Sequence, residues 1–263
     1  MCPRASNETF FHPAWPVFHE DNHVLAVYKP AGLLVQGDRT GDPCLLELAK
    51  RWIKERYQKP GNVFLGLVHR LDRPVSGALI FAKTSKAASR LSRAFREQGT
   101  LKEYLAVVEG QPKVPQATLV HHLCQRPGGS THVVQDGHPQ GRRACLHYRV
   151  LGTEGSRSLV AVRLETGRKH QIRVQLAAVG CPIAGDLRYG ALRPLPNRQI
   201  ALHAWRLVVP HPTRSTSVEV VCPLPRQWPW DEKDVFPDHP AHPFRPLWAW
   251  SDYERSQSLS QVL

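Results

Sequence analysis

The sequence predicts an α+β fold built on a large mixed, mostly antiparallel sheet flanked by helices. Three observations carry this. Short apolar or alternating runs, each closed by Gly or Pro, recur along most of the chain. Helical spacing appears in only a few stretches between them. The length of 263 residues, with 41% hydrophobic and 22% charged residues, supports a real core without disulfides or structural metals.

The elements follow in order. Residues 1–16, with Pro3, Pro13 and Pro16, read as an irregular lead-in. Val24 to Tyr28 is a buried strand, closed by the Lys29-Pro30-Ala31-Gly32 turn. A helix starts at Asp42-Pro43, with Asp42 as N-cap and Leu45, Leu48, Ala49, Trp52 and Ile53 on its inner face. Ala78 to Ala82 is a second buried strand. Thr84-Ser85 opens a helix with Ala88, Leu91, Ala94 and Phe95 inward, and Gly99 closes it. Its other face carries Lys86, Arg90, Arg93 and Arg96, either a solvated face or a phosphate-tracking stripe.

Strands are expected at 104–108, 118–123, 131–135, 144–151 and 158–165. Thr166-Gly167-Arg168 breaks the run, and Ile172, Leu176 and Val179 give helical spacing up to Gly180. Strands at 200–209 and 216–221 complete the sheet. Residues 223–263 hold 7 of the 23 prolines and 4 of the 7 tryptophans, Trp228, Trp230, Trp248 and Trp250. A sheet does not run through that proline density, so this is an extended tail pinned by its aromatics.

The formal net charge is +13, with 35 Lys and Arg against 22 Asp and Glu. That surplus suits a polyanionic partner, most simply nucleic acid; a basic enzyme of unrelated chemistry is the other reading. The six cysteines form no CxxC pair, so metal-ligand spacing is absent and no metal is expected. No apolar window reaches membrane length and no secretory leader is visible, so the expectation is a cytoplasmic monomer. Phosphate loops of the GxxxxGK type, GxSxG elbows and HExxH are absent.

Three segments stand out. In His69-Arg70-Leu71-Asp72-Arg73-Pro74-Val75-Ser76-Gly77, Asp72 lies between two arginines that favour its carboxylate form. It is either a nucleophile or base, or a loop carboxylate that neutralises its arginines. In Leu101-Lys102-Glu103-Tyr104-Leu105-Ala106-Val107-Val108-Glu109-Gly110, Tyr104 starts an apolar strand and reads equally as a core aromatic. In Glu165 to Gln175, the cations Arg168, Lys169, His170 and Arg173 crowd a helix N-terminus. The helix dipole disfavours cations there, so an anionic counterpart is required: RNA phosphate or a buried carboxylate.

HRLDRPVSG, LKEYLAVVEG and TGRKHQIRVQ, in that order, resemble the three motifs of the RluA-type pseudouridine synthases. Tyr28-Lys29-Pro30-Ala31-Gly32 is similar to the early KPAG turn of that family. Pro182-Ile183-Ala184-Gly185-Asp186-Leu187-Arg188-Tyr189-Gly190 is similar to the stretch after its third motif. The resemblance covers about residues 17–222.

The resemblance implies a pseudouridine-synthase-type catalytic domain with a central cleft over 17–222, and isomerisation of uridine in structured ribosomal or transfer RNA without cofactor or metal. It places the catalytic aspartate on Asp72, the active-site tyrosine on Tyr104 and the aspartate-pairing arginine on Arg173. Arg70 falls on the arginine that helps hold the flipped-out state. Arg73, Arg168, Lys169, His170, Gln171, Ile172 and Leu176 are the remaining candidates for RNA or substrate contact.

The chain departs from the family pattern at Val75, where many members carry Thr before the Ser-Gly. With so few residues before the first strand, the S4-type RNA-binding domain of many relatives is not expected. The alternative reading is a non-catalytic RNA-binding protein or RNA-folding chaperone on the same fold.

Overall fold

The computed structural model describes residues 17–225 and 227–230. Trp248 and Trp250, and the lead-in 1–16, lie outside the described residues. The described chain divides into two compact units. One comprises residues 17–100 and 208–223, the other residues 101–207 and 224–230. The architecture is α+β, with three α-helices among the described residues.

In the first unit, strand β1 (Val17–Glu20) pairs antiparallel with β2 (Val24–Lys29), which pairs antiparallel with β4 (Ser76–Ala82). The two-residue β3 (Gly66–Leu67) adds to the same β4. Strands β2 and β4 are buried along their whole length, which explains why they read as continuous apolar runs rather than alternating ones. β1 and β3 were not expected. β1 is half-buried throughout and β3 is too short to show a period.

Helix α1 (Leu45–Arg56) starts later than its sequence signal. Its N-cap is Cys44, with no side-chain cap, because Asp42 is instead 2.8 Å from the Arg73 guanidinium. Helix α2 (Ser85–Arg96) starts where expected. The Thr84 hydroxyl accepts from the Ala87 N–H, satisfying one of the helix's orphan donors. Its basic face is exposed at Lys86, Arg90, Arg93 and Arg96, and Arg90 also donates to the Pro212 carbonyl.

The β1–β2 turn is organised by Asp21, whose carboxylate accepts from the His23 and Val24 N–H groups at 2.7 and 2.8 Å. It also bonds the buried His211 ring at 2.7 Å. Burial pushes this carboxyl upward, but bonds from His211, His23, Val24 and His19 outweigh it and hold Asp21 well below the usual range.

In the second unit, β5 (Leu101–Glu109), β9 (Arg157–Leu164), β8 (Arg142–Glu154), β6 (Gln116–Gln125) and β7 (Thr131–Val134) lie in that order, every pairing antiparallel. β10 (Leu202–Pro210) begins in this unit, and its last three residues belong to the first, where β11 (Ser217–Val221) pairs with it. Helix α3 (Gln171–Ala178) is buried at every residue from Gln171 to Leu176. It packs over β6 and β7, so the apolar side expected from Ile172 and Leu176 is only part of its buried surface.

The start of the tail is held down by aromatics. Trp230 is buried against Gly152, where any Cβ would lie 3.3 Å from the indole. Gly152 sits at a register shift in β8, so its missing side chain makes room for Trp230. No helix among the described residues is long and apolar enough to cross a membrane.

Candidate active site

Candidate residues occur in both units. In the first, the loop from His69 to Val75 runs into β4 and presents Asp72, which is half-buried between buried Leu71 and exposed Arg73. The loop is tied from beneath by Lys29, the last residue of β2, which has no exposed surface. Its ammonium donates to three carbonyls: Pro30 at 2.9 Å, Arg73 at 3.1 Å and Val75 at 2.6 Å. Burial pushes Lys29 down to about 7; the Asp72 charge partly offsets this and the Arg73 charge adds to it.

Arg73 closes a second tie. Its backbone carbonyl accepts from Gly32 N–H at 2.7 Å, and its guanidinium donates back to the Gly32 carbonyl at 2.9 Å. Its other end meets Asp42. His69 stacks on Phe95 of α2 at 4.7 Å and accepts from the Ile80 N–H through Nε2. The loop is thereby held at its start, its middle and its end, while Arg70 stays exposed.

In the second unit, Tyr104 lies on β5 opposite Val162 and is half-buried. Its neighbour Glu103 points the other way and accepts from Arg163 at 2.7 Å and Arg206 at 3.0 Å. Lys102, two residues before Tyr104 on the same face, is buried, and desolvation lowers its ammonium.

The turn before α3 is built around Gln171. Its carbonyl oxygen accepts from the Thr166 hydroxyl at 2.8 Å and from the Arg168 N–H at 2.9 Å; its amide donates to the Cys145 carbonyl at 3.0 Å. His170 takes a left-handed conformation, with φ of 54°. The Tyr189 hydroxyl accepts from the Thr131 N–H at 3.0 Å and shares a hydrogen bond with His170 Nδ1 at 2.7 Å.

Arg173 is buried and makes a two-pronged pair with Asp186. Nε and Nη2 lie 2.6 and 2.8 Å from the two carboxylate oxygens. Its guanidinium also sits 5.0 Å from the centre of the Tyr189 ring. Asp186 is buried as well, in a turn that requires Gly185. There φ is 86°, and a Cβ would come within 2.9 Å of the Gln199 carbonyl.

The crowding of cations at this helix therefore has two outcomes. Arg173 has found a buried carboxylate. Arg168 is exposed, donating to the Arg143 carbonyl at 3.1 Å, and Lys169 is half-buried with its ammonium beside Gly129 of the β6–β7 turn. Gln171, Ile172 and Leu176 all face inward. The structure brings Arg173 and His170 together through Tyr189.

Sequence reasoning missed Lys29, Asp186 and Tyr189. All three stand inside segments that carry the family resemblance, but nothing in the spacing says that an ammonium on β2 caps a loop more than 40 residues away.

Residues 23–178 match the RNA pseudouridylate synthase family. The chain belongs to that family. A ribosomal large subunit pseudouridine synthase D from Nitrosomonas europaea is 37% identical over 222 residues, covering 80% of this chain. The chain spans 62% of that relative's length. A synthase D from Zymomonas mobilis is 34% identical, covering 84% of this chain and 73% of its own. Among solved structures, human RNA pseudouridylate synthase domain containing 4 superposes with a TM-score of 0.67 at 25% identity. That match covers 80% of this chain and 88% of the human one.

Proposed function

We propose that this pseudouridine synthase family member isomerises specific uridines to pseudouridine in structured ribosomal or transfer RNA, with Asp72 as the catalytic group. The observation that carries the reading is the Asp72 loop, a first motif anchored at the Arg73 and Val75 carbonyls by a buried ammonium. Names of the relatives favour ribosomal RNA. A cytoplasmic setting and a monomeric state complete the proposal.

The chemistry asks for little else. The C1′–N1 bond breaks, the uracil rotates and C1′–C5 forms. Nothing leaves and no electrons are exchanged, so the reaction needs no cofactor. A uridine inside a stem hides its glycosidic bond and must be flipped out, costing a few kcal/mol. Exposed Arg70 and Arg168 supply compensating phosphate contacts. The Asp72 carboxylate attacks sugar or base, or takes the 2′ proton to give a glycal. Arg173 orients Asp72, and Tyr104 stacks on the uracil and relays the C5 proton. Gln171, Ile172, Leu176 and His170 keep the third motif in place, and Arg73 and Lys169 border the RNA path.

Asp72→Asn tests this. Pseudouridine formation, mapped by carbodiimide and primer extension on RNA from cells lacking the gene, is expected to fall at least about 10²–10⁴-fold. RNA affinity is expected to hold within about twofold, since the phosphate contacts are untouched. Retained activity would overturn the assignment.

A further inference from the structure

The sheet of the second unit carries a side-chain cluster that uridine chemistry does not use. Cys145 and His147 are two residues apart on β8, so both project from the same face. Glu165 follows the end of β9, and its N–H donates to the Cys145 carbonyl at 3.2 Å. The thiol, an imidazole nitrogen and a carboxylate oxygen thus lie within 4.8 Å of one another. His147 Nε2 is 2.8 Å from Glu165 Oε1, and its Nδ1 is 2.8 Å from the Thr118 hydroxyl on β6. Cys145 forms the buried floor, while the side chains of His147 and Glu165 are 42% and 38% exposed and leave the cluster open to solvent.

An enzyme nucleophile is the first alternative, and the contacts oppose it. The thiol is bonded to Glu165, and burial followed by that carboxylate pushes it up, the reverse of an activated cysteine. The imidazole is committed to Glu165 and Thr118 rather than to the sulfur. A thiol and a carboxylate facing each other, with an oriented imidazole beside them, is a metal-ligand donor set, beside which the Arg143 guanidinium now stands.

We propose that Cys145, His147 and Glu165 form a binding site for a divalent cation of the zinc class. Zinc holds thiolate, imidazole and carboxylate at about 2.0–2.3 Å, which sets tetrahedral ligand atoms about 3.5 Å apart. The three groups, already within 4.8 Å of one another, stand close to that spacing. On binding, the Cys145 S–H bond breaks, a sulfur–metal bond forms and the proton goes to water. His147 turns its Nε2 lone pair to the metal and carries its proton on Nδ1, donating to Thr118. That is the outer-shell bond that fixes metal-ligating histidines. Thiolate and carboxylate balance the two positive charges, and a water takes the fourth position. Arg143, 4.0 Å from Glu165 and 55% exposed, is the competing cation and swings aside.

The site has a structural consequence. The Thr166 hydroxyl accepts from the Cys145 N–H, and Gln171 bonds the Cys145 carbonyl. A metal on Cys145 and Glu165 would therefore clamp the turn that launches α3. The proposal is independent of the pseudouridine reading.

Purified full chain, stripped with chelator and titrated with cobalt(II), provides the test. One cobalt per chain with a thiolate-to-metal charge-transfer band is expected, displaced by zinc(II). Cys145→Ser is expected to abolish the band. His147→Ala and Glu165→Gln should each weaken binding at least tenfold, and Thr118→Val about 10–100-fold. Glu165→Gln changes one half-exposed side chain, so it keeps the test valid should Cys145→Ser fail to fold. Metal uptake without the band, a band surviving in Cys145→Ser, or affinity indifferent to His147→Ala and Glu165→Gln would each overturn the proposal.

Discussion

The Asp72 loop and the Arg173 helix are anchored by opposite means. Beneath the loop lies one buried cation bonded only to carbonyl oxygens, at 2.6 to 3.1 Å, among its described hydrogen bonds. At the helix, a buried cation meets a buried anion through two parallel bonds at 2.6 and 2.8 Å. Carbonyl dipoles offset less of an ammonium's desolvation than a carboxylate offsets of a guanidinium's. Lys29 is accordingly pulled down to about 7 and its anchor is poised near neutrality. The Arg173–Asp186 pair has the fork geometry that holds a guanidinium firmly and in one orientation. The loop that bears the carboxylate proposed to react thus rests on a titratable support, and the group proposed to orient it rests on a permanent one.

The largest expected effect comes from breaking the permanent anchor. Asp186→Ala strands a buried guanidinium and is expected to cost about 3–5 kcal/mol in urea unfolding. A loss under about 1 kcal/mol would mean that the pair carries little of the load. Lys29→Met leaves buried carbonyls without a donor and is expected to cost about 1–3 kcal/mol. Pseudouridine formation should fall further than RNA affinity, since the Asp72 loop loosens while the basic surface remains.

Acidity separates the two anchors next. Lys29 binds its proton less tightly in the fold than at its ordinary 10.5, so unfolding takes up a proton between about pH 7 and 10.5. Stability therefore rises with pH across that window, by at most about 1.4 kcal/mol per unit, and the contribution is lost as pH falls through 7. Unfolding at pH 7 and pH 9 should show this gain in the parent chain relative to Lys29→Met. Equal pH dependence in both would remove Lys29 as a titrating support. The smallest effect is at the surface: Lys86→Gln on α2 should leave stability within about 0.5 kcal/mol. If this face tracks phosphates, it should also lower the salt slope of RNA binding by about one.

Much of this was legible in the chain. The buried strands β2 and β4 announce themselves because both their faces are covered and every residue before Tyr28 and Lys29 in β2, and every residue of β4, is apolar or small. The Thr84 cap of α2 is a local signal and appears where the sequence places it. Asp42 failed as a cap for a non-local reason: a guanidinium from the first motif competes for its carboxylate. β1 and β3 were invisible because half-buried or two-residue strands show no periodicity.

The sequence by itself determined the α+β class, the ordered motifs and the identity of the family, because these reside in local patterning and in residue types at set spacings. The tertiary structure alone decided what those residues lean on. Lys29 reaches carbonyls of residues 30, 73 and 75; Asp186 meets Arg173 across a turn and a helix; Cys145, His147 and Glu165 converge from neighbouring strands. A buried charge must find its partner wherever the fold excludes water, and strand register, not distance along the chain, sets which groups stand there.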